Sequence, residues 1–142
     1  MSRSEIEVRV TARLLRAEIL DEPGRQFTFL LTAGALGWRM GASEVMARQV
    51  EHIAELSRLP HIRVGVITWG IEAKVFPPCG FDLYDEHTVV VGVLGGSAYY
   101  NDPADTARYV AMSTALKRLA VFGDKVRAEL QRIADRYRAQ DD

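Results

Sequence analysis

The side chains able to move protons, attack carbon or hold a metal are few and scattered. Three histidines occur, His52, His61 and His87. Their expected places are a helix, a strand start and a hairpin turn, and no two share the ligand spacing of a zinc site. A lone histidine is most often a surface or capping residue. Asp82, Asp85 and Glu86 crowd a turn, where short acids bond to nearby backbone, and no spacing singles out a carboxylate pair. Cys79 is the only cysteine, so neither an internal disulfide nor a cysteine-based metal site can form. The phosphate loop GxxxxGK is absent, as is GxGxxG after a strand. Gly92-Val93-Leu94-Gly95-Gly96 reads as a strand end with a turn, and Ser97 lacks the setting of a nucleophile elbow. No cofactor and no metal are expected.

Bulky apolar side chains in irregular places are more telling. Trp38 and Met40 lie in a turn punctuated by Gly34, Gly37 and Gly41. Trp69 ends an apolar strand, and Phe76, Tyr99 and Tyr100 fall in expected loops. In a parallel crossover the carboxyl ends of both strands open on one edge, where ligands commonly bind. Those ends are Thr32 and Trp69, and the Trp38 turn follows the first directly. The pattern predicts an apolar pocket with Trp38, Met40 and Trp69 as walls and Thr32 and Tyr99 as polar, catalytic anchors. Phe76 and Tyr84 are second-rank wall candidates. The competing reading is that these aromatics close the core over the sheet edge.

The elements that must hold such a pocket follow from pattern. Ser4 and Glu7 have capping-box spacing, and Ile6, Val10, Leu14 and Ala17 keep helical period. Alternation of Ile6, Val8 and Val10 also fits a strand, but the helix-forming run Ala12–Glu18 favours a helix over residues 4–20. Asp21-Glu22-Pro23-Gly24 stops it. Phe27–Thr32 is a strand. Ser43 caps a helix to about Leu59, with Val45, Met46, Val50, Ile53, Ala54 and Leu56 inward. Ile62–Trp69 is apolar enough for a strand covered on both faces. Strand, helix and strand then make a parallel β-α-β unit. Gly80–Tyr84 and Thr88–Leu94 form a hairpin around Asp85-Glu86-His87. Asp102-Pro103 opens a helix to about Ala120, with Tyr109, Met112, Leu116 and Leu119 on one face. A last helix turns Val126, Leu130, Ile133 and Tyr137 inward. The fold class is α/β: one domain over residues 1–142, a small mixed sheet covered by about four helices, and a polar tail at 139–142 that reads as a natural end.

A net charge of −1 gives no basic stripe and no support for nucleic-acid binding. With 48% apolar and 26% charged residues the composition is that of an ordinary globular protein. No apolar run reaches membrane-span length, and the polar start SRSEIEV is unlike a secretory signal. A cytoplasmic location follows from these features and the lone cysteine.

The segment AGALGWRMGASEVMARQVEHIAELSRLPHIRVGVIT, Ala33 to Thr68, resembles a domain of unknown function found behind an Xre-type helix-turn-helix in actinobacterial regulators. TVVVGVLGGSAYYNDPADTARYVAMSTALKRLA, Thr88 to Ala120, is similar to a second region of that family. The likeness spans about Val8 to Ile133. The chain starts about where the domain starts, so a stand-alone domain without the DNA-binding half is expected. Ala33 and Gly92 stand where the family usually carries glutamate, and Val90 stands for its tyrosine. Losing both acids is expected to open an apolar pocket at the strand edges.

Stand-alone relatives within polyketide biosynthetic clusters resemble pericyclases, which fold a polyene macrolactone for cycloaddition. Such a reaction needs near-attack geometry and one or two hydrogen bonds rather than an acid, base or metal. The resemblance therefore implies a cofactor-free cyclase acting on an apolar polyketide. The alternative is a regulatory domain that binds a small molecule or a small protein partner. A third reading is a purely structural interaction module. A homodimer is expected.

Overall fold

Ser2 opens the first helix. Its hydroxyl accepts the Glu5 N–H while the Glu5 carboxylate accepts the Ser2 N–H at 2.6 Å, a capping box placed two residues before the expected pair. The computed structural model describes residues 2–140. Helix α1, Arg3–Ala17, and the single 3-10 turn Glu18–Asp21 that follows it bury none of their residues.

Strand β1, Phe27–Thr32, leads straight into a one-turn helix α2, Ala33–Leu36. The glycines there had concealed α2. The Thr32 side chain caps it by accepting the Ala35 N–H at 3.0 Å. Helix α3 runs Ser43–Leu56 and ends a turn short of Leu59; Ala42 holds its cap position, and Ser43 is the buried first helical residue. Met46 and Val50 turn inward as expected, but Val45 is exposed. Strand β2, Ile62–Ile67, stops before Trp69 and pairs with β1 in parallel, Phe27 opposite Ile62 through Thr32 opposite Ile67. This is the predicted β-α-β unit.

Strands β3, Phe81–Tyr84, and β4, Thr88–Val93, form the predicted hairpin. A further strand, β5, Gly96–Tyr100, pairs antiparallel with β4. Tyr99 and Tyr100 therefore lie in a strand and not in a loop. Gly95-Gly96-Ser97 reads as a breaker, yet Val93 and Gly96 face each other across a two-residue turn, where glycine is favoured. The strands thus make two sheets, a parallel pair and an antiparallel triplet.

Helix α4, Pro103–Leu119, starts where Asp102 accepts the Ala104 N–H at 2.8 Å. Helix α5, Gly123–Arg138, buries Val126, Leu130, Ile133 and Tyr137, the predicted inward face, and Ala134 besides. The main core lies where α3 and α5 cover the parallel pair, with Ala47, Val50, Val64, Val66, Val126 and Leu130 at its centre. Val121, just before α5, exchanges two backbone hydrogen bonds with Val66 and extends that pair by one bridge. The Phe122 ring lies on Gly65; a Cβ there would meet ring carbons at 2.6 Å, so only glycine admits the contact. Among the described residues no helix is long and apolar enough to cross a membrane.

Candidate functional site

The turn between α2 and α3 projects two bulky side chains into water. Trp38 is 74% and Met40 83% exposed. The Trp38 N–H reaches back to the Ala35 carbonyl, and Arg39 Nε donates to the Gly41 carbonyl at 2.9 Å, which shapes the turn. Trp38 and Met40 face Met46, Gln49, Val50 and Ile53 of α3 and Ala35 and Leu36 of α2 across a cleft of about 640 Å³. That size suits a small molecule. Besides the indole N–H of Trp38, Gln49 supplies the polar group of this lining. Its carboxamide offers two N–H donors and one acceptor oxygen on an otherwise apolar wall.

The floor of the cleft is fastened from α5. The buried Tyr137 hydroxyl donates to the Leu36 carbonyl at 2.6 Å, joining residues 101 apart in sequence. The next residue, Arg138, grips Glu51 with both terminal nitrogens at 2.6 and 2.9 Å and Glu44 through Nε at 3.1 Å. Hydrogen bonding to Arg138 holds the Glu51 carboxyl below its ordinary value, and the two carboxylates raise Arg138. One helix end thus fixes both walls, α2 through a carbonyl and α3 through its acids.

The structure gathers Trp38 and Met40 in this cleft and leaves the other candidate residues outside its lining. Thr32 is exposed, and its hydroxyl oxygen is engaged in capping α2. Trp69 follows β2 and is 76% exposed, and Phe76 lies in the following loop, more exposed still. The Tyr84 hydroxyl accepts from Arg16 at 2.8 Å, beside Asp82. Tyr99 stands exposed on β5, opposite Val90. Ala33 belongs to the main core, while Gly92 lies exposed in the antiparallel sheet with open space about it. The two positions expected to open one pocket sit in different elements, Ala33 in α2 and Gly92 in β4, and neither lines the cleft.

Met46, Gln49 and Ile53 were not foreseen as site residues. Their signal was present: with Val50 they follow helical spacing. The pattern places Met46 and Ile53 in the core, and they form its margin instead, half-buried beside Val50. A second grouping also went unseen. Phe81 and Tyr100 of the antiparallel sheet pack against Tyr109 of α4, Phe81 edge-on with centroids 4.9 Å apart and Tyr100 tilted at 5.7 Å. Loss of hydration raises the Tyr109 phenol, and Tyr100, Cys79 and Asp105 add to it.

The histidines stay apart. His52 is exposed near Glu55 at 3.9 Å. The His61 ring bonds to the Leu20 carbonyl at 2.8 Å. His87 borders a shallow groove with Glu86 and Asn101. Among the described residues no three His, Cys, Asp or Glu side chains are grouped to hold a metal ion.

A family model described as a domain of unknown function, DUF5753, matches residues 1–132. No curated protein and no solved structure matches the chain.

Proposed function

The chain belongs to the DUF5753 family, and from that premise we propose that its cleft binds an apolar small molecule between α2, the Trp38–Met40 turn and α3. One observation carries this reading: two large apolar side chains stand in water beside an already buried floor of Leu36 and Val50. Such an exposed patch is costly to maintain without a partner. Each large apolar side chain covered by a ligand contributes on the order of 1.5–3 kcal/mol. In this reading the domain senses its ligand as the accessory half of an Xre-type regulator would. The lone Cys79 fits a reducing compartment, and we place the protein in the cytoplasm on that ground.

Gln49 favours a second reading, a cofactor-free cyclase for a polyene macrolactone. Its amide N–H can polarise a substrate carbonyl while the apolar walls hold the diene and its partner at reacting distance. Thr32 and Tyr99, the anchors expected from sequence, lie outside the cleft, so binding ranks ahead of turnover.

Titration with the apolar fluorophore anilinonaphthalene sulfonate tests the site. Trp38→Ala is expected to weaken binding about tenfold, the equivalent of ~1.4 kcal/mol, and Trp69→Ala to leave it unchanged. Equal losses in both variants, or none in Trp38→Ala, would refute the assignment. Incubation with a linear-diene macrolactone separates the readings. Turnover by the cyclase gives a product of unchanged mass and altered retention time, lost in Gln49→Ala. Binding without such a product excludes the cyclase.

A further inference from the structure

We infer that the ligand of the Trp38 cleft is an uncharged, planar aromatic molecule with a hydrogen-bond donor and acceptor side by side on one edge, as in a fused-ring lactam. The inference rests on the binding reading above and adds the ligand's chemistry to it. Charge is excluded first. No Asp, Glu, Lys, Arg or His side chain lines the cleft. Charged groups of α3 are engaged elsewhere: Glu44 and Glu51 bond to Arg138, and Arg48 lies 3.6 Å from Glu44. An ionised group brought against these walls would lose water and gain no counter-charge.

The walls select a ring over a chain. Trp38 offers an indole face, and two thioethers join it, Met40 from the turn and Met46 from α3. Ring–ring and sulfur–ring contacts attract beyond the area they bury. An aliphatic ligand of the same size gains the burial alone.

Gln49 selects the edge. It follows Met46 by three residues and precedes Ile53 by four, so it shares their side of α3. Among the described residues no protein group bonds to its carboxamide or to the Trp38 indole N–H. A carboxamide presents a donor and an acceptor side by side and reads their complement as a pair, as it reads the edge of adenine. A lactam N–H donates to the Gln49 oxygen while the lactam carbonyl accepts from the Gln49 nitrogen. The pair of bonds fixes the orientation of the ring between α3 and the turn.

Displacement of the uncharged fluorophore N-phenylnaphthylamine from the full chain tests the ligand class. The competitors are the bicyclic lactam carbostyril, its N-methyl derivative, its fully saturated analogue, the anion quinaldate, and naphthalene. Carbostyril is expected to act at about tenfold lower concentration than the N-methyl derivative, which lacks the donor. It is expected to act at about fivefold lower concentration than the saturated lactam, and quinaldate to be weaker than carbostyril. Gln49→Leu is expected to abolish the preference for N–H over N-methyl and to leave displacement by naphthalene unchanged. Gln49 is exposed, so its exchange leaves the core intact, and the wild-type ranking needs no variant. Equal action of the N–H and N-methyl lactams, a saturated lactam as strong as the aromatic one, quinaldate as the best competitor, or a preference that persists in Gln49→Leu would overturn the ligand class. The cleft itself would still stand if fluorophore binding is lost in Trp38→Ala. Fluorophore binding that is absent, or indifferent to Trp38→Ala, would overturn both.

Discussion

Tyr137 and Arg138 show how adjacent residues at one helix end hold a site they do not line. The Tyr137 hydroxyl gives its proton to the Leu36 carbonyl, and Leu36 is cleft floor. Tyr137→Phe leaves that buried carbonyl without its partner, a loss of about 1–3 kcal/mol. Urea denaturation is expected to register this, and the cleft is expected to bind its probe more weakly as α2 loosens. Glu51 has its carboxyl lowered by hydrogen bonding to Arg138, so its contribution to stability is present above the ordinary glutamate value of 4.5. That contribution is lost as pH falls through the depressed value. Arg138→Gln is expected to flatten the acid limb of a Tm-against-pH curve below about pH 5 while shifting the curve near neutrality downward. An acid limb of unchanged shape would contradict the assigned pair. At this scale the sequence was informative about residue type but not about direction. Trp38 and Met40 were legible as misplaced apolar groups because glycines flank them. Thr32 was expected as an anchor, and its role as a cap was not legible because it depends on α2, which three nearby glycines concealed.

The elements report how far patterning reaches. The β-α-β unit, the β3–β4 hairpin and the Asp102-Pro103 start of α4 were all legible, since each rests on local chemistry that tertiary contacts reinforce. Strand β5 was not, because glycine marks both the end of a strand and a tight turn between strands. The division into two sheets was also hidden, since it depends on which edges meet. Two predictions belong here. Asp85 and Glu86 both adopt left-handed backbone, at φ 50° and 61°. Aspartate tolerates this better than glutamate, so Glu86→Gly is expected to stabilise the hairpin by about 1 kcal/mol, read as a raised Tm. Gly65 is the opposite case. The Phe122 ring sits where a Cβ would go, and Arg63 lies over that ring at 4.9 Å from its centroid. Gly65→Ala must displace the ring from between them, and a destabilisation of roughly 1–3 kcal/mol is expected by urea denaturation. A neutral Gly65→Ala would mean that Phe122 moves aside freely.

The molecule as a whole is a well-packed half joined to an open one. Helices α3 and α5 enclose the parallel pair, while α1, the Trp38 turn and the segment after β2 leave large apolar side chains in water. Apolar content alone told of a core; it did not tell which apolar residues would be spared from it, because the inward face of α3 grades into the cleft without a break in spacing. The central claim is that one exposed face, at Trp38 and Met40, receives an apolar ligand, whereas the equally exposed Trp69 does not. The two tryptophans make this directly measurable. In Trp69→Phe protein the emission of Trp38 is expected to shift to shorter wavelength as an apolar ligand saturates the cleft. In Trp38→Phe protein the emission of Trp69 is expected to stay where it is. A shift confined to Trp69, or no shift from Trp38 at saturation, would contradict the account.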